Sequence, residues 1–294
     1  MEFVRDESRI GEGDGGTMFR PLVPVLVAAL VVLSGCSLAP DSVSSGGDPS
    51  QVQEPASSGQ EAPGEGEPSG SGEQSNGEEP AAPPVVWYPK DIGMPLTTDD
   101  PAHQEDKVVL LTFDDGPSDT DSTAQILDVL KEKQVKAIFF VTGYGVRDRE
   151  DMLKRIADEG HVIGLHTMTH PDLASLTPEE MREELVPLME KIEAVTGQRP
   201  KYLRPPFGSY NDEVLSVAAE LGLQVVTWTS GSLDWEGNDA NGYKDPAVVV
   251  RDVMDQLFPG AVYLFHDTKT HTAEALPEII DLMRAEGYEF VVLS

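Results

Sequence analysis

From Lys107 onward the sequence alternates short apolar runs with amphipathic stretches, and that rhythm leaves few folds open. The apolar runs fall at 107–113, 136–142, 161–165, 201–204, 223–229, 261–265 and 288–293. Helical spacing of apolar residues marks the intervals near 121–134, 149–159, 178–196, 212–221, 246–258 and 274–286. Thr177-Pro178-Glu179-Glu180 is a capping box with proline at the first helical position. Asn211 and Asp245-Pro246 are further helix starts, and Gly160, Gly197, Gly222 and Gly287 stand where helices end left-handed. Seven strands alternating with six helices require a parallel α/β sheet with right-handed crossovers. Periodicity alone leaves open whether that sheet closes into a barrel or stays doubly wound.

What precedes this region is of a different kind. An apolar run over 21–33 follows Arg20, too short for a comfortable bilayer span and the length of a signal-peptide core. It leads into Leu33-Ser34-Gly35-Cys36, and Cys36 is the single cysteine of the chain. This stretch resembles a bacterial lipoprotein signal, which implies that Cys36 is lipidated and becomes the mature N-terminus. The first 17 residues carry five acidic groups and two arginines, an unusual lead for such a signal, and Met18 offers an alternative start. Residues 37–84 hold nine acidic residues and no Lys or Arg among Ser, Gly, Pro and Gln. They have almost nothing to bury and are expected to form a disordered tether spanning roughly 40 Å. The segment 85–106 leads into a catalytic-sized domain at 107–294, ample for one core without disulfides. A net charge of −31 argues against nucleic-acid binding.

The polar clusters sit where α/β folds build sites, just after strands. Thr112-Phe113-Asp114-Asp115-Gly116-Pro117 ends the first strand with two adjacent carboxylates, a costly arrangement unless a cation, a metal or a shared proton compensates. On its own it also fits a turn. His166 and His170, after the third strand, supply two imidazoles at a spacing that suits a shared metal. Two histidines and one carboxylate with open positions suit a hydrolytic Zn²⁺ or a related divalent ion. Arg204-Pro205-Pro206-Phe207-Gly208 follows the fourth strand, Asp234-Trp235 the fifth, and Leu264-Phe265-His266-Asp267 spans the end of the sixth. Each block has a structural reading, but five of them at strand ends in one domain point to a site. No nucleotide-binding glycine loop follows any strand.

In order and spacing these blocks resemble the NodB-homology polysaccharide deacetylases, carbohydrate esterase family 4, across 107–294. The resemblance implies a single catalytic domain with a distorted (β/α)₇ barrel. It implies that Asp115, His166 and His170 bind the metal, Zn²⁺ or Co²⁺ or another divalent transition metal, and that Asp114 is the general base. It further implies that His266 protonates the leaving amine and that the backbone N–H of Phe207 helps hold the oxyanion. Arg204 would orient Asp114, Asp234 would complete that charge network and set the basicity of the acid, and Trp235 with Leu264 would shape the pocket for the acetyl methyl. Thr167 would shape the metal loop. Two positions depart from the family pattern. Gly231 stands where the fourth motif usually carries Asp, which puts the groove lining in question, and Phe207 stands where the third more often carries Tyr.

The expected protein is therefore a monomeric, metal-dependent N-deacetylase of an extracellular glycan, with peptidoglycan GlcNAc or MurNAc leading. Its expected partners are that N-acetylated polysaccharide and the outer face of the cell membrane through Cys36. The same machinery would serve an O-deacetylase of xylan or wall esters. A non-catalytic glycan-binding lipoprotein is opposed by the presence of Asp114 and His266, and a solute-binding lipoprotein by the absence of a second lobe.

Overall fold

A computed structural model describes residues 84–237 and 242–293. The signal and Cys36 assignments, and the tether as far as residue 83, fall outside the described residues. A short antiparallel hairpin comes first, β1 (Tyr88–Pro89) and β2 (Leu96–Thr97). Strand and helix then alternate as β3 (Val108–Asp114), α1 (Ser122–Glu132), β4 (Ile138–Val141), α2 (Gly143–Val146), α3 (Glu150–Asp158) and β5 (Val162–Leu165). They continue as α4 (Pro178–Thr196), β6 (Tyr202–Leu203), α5 (Asp212–Glu220), β7 (Gln224–Val225) and β8 (Ser230–Gly231). The chain ends with α6 (Pro246–Met254), β9 (Ala261–His266), α7 (Thr270–Ala285) and β10 (Glu289–Phe290). Among the described residues, no helix is long and apolar enough to cross a membrane.

All strands of the main sheet pair in parallel, in the order β7-β6-β5-β4-β3-β9-β8. β9 occupies one edge of β3 from Val109 to Asp114, while β4 pairs only with Thr112–Asp114 on the other. β10 fills the part left free, beside Val108 and Val109. Chain connectivity forces the sheet to curl. Seven strands laid flat would separate β7 from β8 by about 29 Å at the usual inter-strand spacing. Only residues 226–229 join them, and five Cα steps reach at most about 18 Å. The expected distorted barrel is thus a parallel sheet rolled into a half-barrel, its open side spanned by 226–229.

That crossing corrects one expectation. The sequence predicts one strand over 223–229, but only Gln224–Val225 pairs, as β7; residues 226–229 carry the chain across the gap to β8, which begins beyond the run at Ser230. α7 likewise begins at Thr270 rather than near 274, since His271 and Thr272 are held in the helix by bonds to Asp234. Tertiary contacts here override weak helix propensity. α2, a single turn capped by Thr142, had no periodic signal. Gly160, Gly197, Gly222 and Gly287 all take positive φ, as their positions after helices require.

Alternation along β3 fixes where the site forms. Val109, Leu111 and Phe113 pack into the core shared with the helices, Phe113 stacking between Phe139 and Phe265 at centroid distances of 5.0 and 5.5 Å. Val108 and Leu110 point the other way, into a second cluster with Ile138, Phe140, Tyr202, Val226 and Val262. Trp87 and Leu96 of the leading hairpin belong to that inner cluster, and Leu96 N–H donates to the Gly260 carbonyl at 2.8 Å. The hairpin therefore closes the end of the half-barrel where β3 begins. Thr112 and Asp114 continue the inward face at the other end, and Asp114 emerges at the mouth.

Candidate active site

Asp114 and Asp115 are separated by a backbone reversal. Asp114 ends β3 in extended form, but Asp115 takes φ of 80°, which sends its side chain to a different place. Among the described residues, five of the six non-glycine residues with positive φ lie in the loops of this mouth: Asp115, Thr167, His170, Phe207 and Leu233. Such conformations cost roughly 1 kcal/mol or more each and persist where surrounding structure dictates them.

Asp115 Oδ1 lies 3.5 Å from His166 Nε2 and 3.4 Å from His170 Nε2. The three potential ligand atoms fall within 4.8 Å of one another. Asp115 Oδ1 is buried and has no hydrogen-bond partner. A buried carboxylate oxygen left bare is expensive unless a cation meets it, so this donor set fits a divalent metal. His166 is prepared for the task. Its Nδ1–H donates to the Arg204 carbonyl at 2.7 Å, which leaves the Nε2 lone pair directed at Asp115. Burial pushes its pKa down to about 3, against the opposing pull of Asp115 and the carbonyl, so the ring is neutral as a ligand must be. The loop carrying the pair is tied at several points. His170 N–H donates to Thr167 Oγ1 at 2.9 Å, and Thr169 gives both its N–H and its hydroxyl to Glu184 of α4.

Asp114 belongs to a different network. Arg204, fully buried, donates from Nη1 to Asp114 Oδ1 at 2.8 Å and to Thr112 Oγ1 at 2.6 Å. Nε and Nη2 bond the carbonyls of Val226 and Thr227, each at 3.1 Å, and the guanidinium lies 4.2 Å from the Phe140 ring centroid. Burial nevertheless holds Asp114 above the usual carboxylate range, outweighing the pull of Arg204 and His266. Arg204 therefore orients Asp114 and moderates its basicity, rather than simply keeping it ionised.

In the third network Asp234 sits on His266, where a residue that sets the basicity of the acid belongs, and among the described residues none of its hydrogen bonds goes to the Arg204–Asp114 pair. Asp234 Oδ1 takes the His266 Nδ1 contact at 2.7 Å, and Oδ2 accepts from His266 N–H at 2.8 Å and Thr272 Oγ1 at 2.6 Å. Burial alone would lower the His266 pKa, but the bond to Asp234 and its charge carry it up to about 9. The imidazole is thereby a cation at neutral pH with Nδ1 engaged. Two separate carboxylate–cation dyads face each other, with Asp114 and His266 in register on adjacent strands.

A cleft of about 440 Å³ unites these parts, lined by Asp114, Asp115, His166, His170, Phe207, Trp228, Trp235, Leu264 and His266. Phe207 is 69% exposed and sets its ring edge-on to His170, and Trp235 sets its indole edge-on to His266. At Gly231 a Cβ would approach the Trp235 ring to 3.1 Å, so a side chain there would press the indole outward by a few tenths of an ångström. Trp228, His271 and Thr272 were not legible as site residues, having no motif of their own. Thr112 was legible in principle, two residues before Asp114 and so on the same face of β3.

The sequence model of the family described as polysaccharide deacetylase matches residues 102–226. The peptidoglycan-N-acetylmuramic acid deacetylase PdaA of Bacillus subtilis is 38% identical over 187 residues, 63% of this chain and 70% of that protein. A peptidoglycan-N-acetylglucosamine deacetylase of Bacillus cereus is 38% identical over 189 residues, 63% of this chain and 66% of its own. Among solved structures, a CE4 family pseudoenzyme from Bacillus anthracis superposes with a TM-score of 0.58 at 32% identity, over 63% of each chain. Since that neighbour is a pseudoenzyme, likeness of fold does not by itself establish turnover. The side chains in the cleft carry that argument.

Arg204→Met leaves Asp114 buried without its counter-charge, and is expected to lower the unfolding free energy by about 3–5 kcal/mol. Urea denaturation reads this, and adding Asp114→Asn should recover part of the loss. A loss below about 1 kcal/mol would mean the pair does not organise the mouth.

Proposed function

The chain belongs to the polysaccharide deacetylase family, and on that footing we propose that it is a metal-dependent hydrolase removing N-acetyl groups from peptidoglycan, at GlcNAc or MurNAc, outside the cell. One observation carries the reading: the unpartnered Asp115 Oδ1 between two imidazoles shares a cleft with two independently wired acid–base groups. Asp115, His166 and His170 would hold Zn²⁺, Co²⁺ or another divalent transition metal. When bound, that ion supplies a Lewis acid that acidifies water and polarises the acetyl carbonyl.

The remaining work falls to the chain's own groups. Asp114 has Oδ1 committed to Arg204, so Oδ2 is the atom that takes the proton of the attacking water. His266 has Nδ1 committed to Asp234, so Nε2 delivers a proton to the departing amine nitrogen as the C–N bond breaks. Acetate and a free amine result, with the protons balanced. The backbone N–H of Phe207 would donate to the developing oxyanion, and Trp235 and Leu264 would enclose the acetyl methyl. Export and anchoring rest on sequence alone, on the apolar run before Cys36 and on the acidic tether, which together would hold a monomeric enzyme on the membrane's outer face within reach of the wall.

The protein should release acetate from peptidoglycan fragments, lose that activity to a chelator and regain it with Zn²⁺ or Co²⁺. Asp114→Asn should reduce kcat by about 100-fold or more. Undiminished turnover in chelator, or in that variant, contradicts the reading, while acetate from acetylated xylan but not from glycan amides would make it an O-deacetylase.

The His266 pKa gives a pH signature. A group raised above its ordinary value keeps its proton through neutrality and loses it as pH climbs through the raised value, here about 9. The acid form of the enzyme should therefore persist to that pH. Asp234→Asn removes the upward pull and should shift the alkaline limb of kcat/KM down by about one unit or more. An unmoved limb would show that His266 is not the acid.

A further inference from the structure

Beside the catalytic cleft lies a second cavity, of about 470 Å³, that none of the roles above uses. It sits where α2, the loop of the two histidines and α4 meet. Val146, Met168 and Pro187 give it apolar walls, and Tyr144, Arg147 and Lys191 add an aromatic ring and two cations. No carboxylate lines it. Carboxylates stand just behind the lining, Glu150 on Lys191 and Glu184 on Thr169, so the cation left uncompensated at this cavity is Arg147.

The two cations differ. Lys191 is paired with Glu150, so its charge is met within the fold. Arg147 makes no ion pair among the described residues, and its guanidinium lies 5.4 Å from the centroid of the Tyr144 ring. Tyr144 is 56% exposed, an aromatic face presented to solvent. Position links this cavity to the chemistry. Met168 and Thr169 lie between His166 and His170 in sequence, so the cavity wall is part of the loop that carries the two imidazoles. A smaller cavity of about 320 Å³ shares Tyr144 and Arg147 and reaches Asp115 itself. Asp119 and Asp148 line that connecting space but not the side cavity.

We propose that the side cavity receives the carboxylate-bearing arm of a muramic acid residue, its lactyl ether with the first residues of the peptide it carries. This rests on the preceding reading that the substrate is peptidoglycan. The arm's chemistry matches the lining part by part. Its lactyl and alanyl methyls suit Val146, Met168 and Pro187, its carboxylate suits the unpaired Arg147, and the exposed Tyr144 ring forms a ledge between the arm and the reacting sugar. A neutral chain of N-acetylglucosamine has nothing to place there. The cavity would thus discriminate wall glycan from chitin-like glycan, a role separate from cleaving the acetamide.

The test compares a muramyl tetrasaccharide bearing stem peptides with N-acetylchitotetraose. In Arg147→Glu the ratio of kcat/KM for the first over the second should fall about fivefold or more, chiefly through KM, and Tyr144→Ala should move it the same way. A ratio unchanged within about twofold in both variants overturns the proposal. Calorimetry supplies a readout independent of turnover. The wild-type protein should bind N-acetylmuramyl-L-alanyl-D-glutamate, whose α-carboxylate is free, more tightly than N,N′-diacetylchitobiose, and Arg147→Glu should erase the difference. Equal binding of the two probes by the wild type also overturns it. If neither glycan is deacetylated yet the muramyl preference depends on Arg147, the deacetylase reading falls and the cavity assignment stands. If both are deacetylated at a ratio blind to Arg147, the cavity assignment falls alone.

Discussion

The buried guanidinium of Arg204 is the contact on which the mouth of this half-barrel depends. Curling the sheet leaves a side open between β7 and β8, and the chain crosses it at 226–229 with carbonyls that no strand neighbour fully satisfies. Arg204 reaches from the end of β6 to the carbonyls of Val226 and Thr227, to Thr112 and Asp114 on β3, and over the Phe140 ring on β4. Its own carbonyl holds His166 at the end of β5. Taking such an ion pair out of water costs several kcal/mol before attraction and hydrogen bonds offset it. The arrangement is therefore weak as a source of stability and strong as a device for fixing positions. One side chain sets the base and, through its backbone, the tautomer of a metal-ligating histidine.

Separating the charges into independent sets gives the cleft its chemical division. Asp115 stays clear of Arg204 because its positive φ turns it toward the imidazoles, and its Oδ1 remains bare for a cation. Asp114 and Asp234 are both buried carboxylates, yet one is raised by burial and the other is lowered because bonds from His266 and Thr272 outweigh burial. The same residue type thus serves as a base that binds a proton readily and as the ionised partner that keeps His266 charged. Partner choice separates them, as expected where acid and base must work at one pH.

Much of this was legible in the sequence because it is local. The apolar runs located most strands, and helix caps at Thr177, Asn211 and Asp245 are seen as read. The blocks at strand ends all reach one cleft, since parallel strands deliver their C-terminal ends to one face. What escaped was set by long-range geometry. Asp234 lies 32 residues from His266 and 38 from Thr272, and no spacing rule connects them, so its role beside the acid came only with the family resemblance and its bond to Thr272 was not legible. That the chain leaves the sheet after Val225 and rejoins it only at Ser230 follows from sheet closure, a property of the whole chain. Trp228 enters the cleft from that crossing, and the closeness of Gly231 to the Trp235 ring shows only in the fold.

The central claim is that adjacent Asp114 and Asp115 are divided between two tasks, one binding a metal and the other held apart from it by Arg204. An anomalous difference map from crystals soaked in Zn²⁺ reads this directly. The account predicts one ion coordinated by Asp115, His166 and His170, with Asp114 still bonded to Arg204 and outside the coordination shell. An ion ligated by Asp114, or one bound away from the two imidazoles, would contradict it.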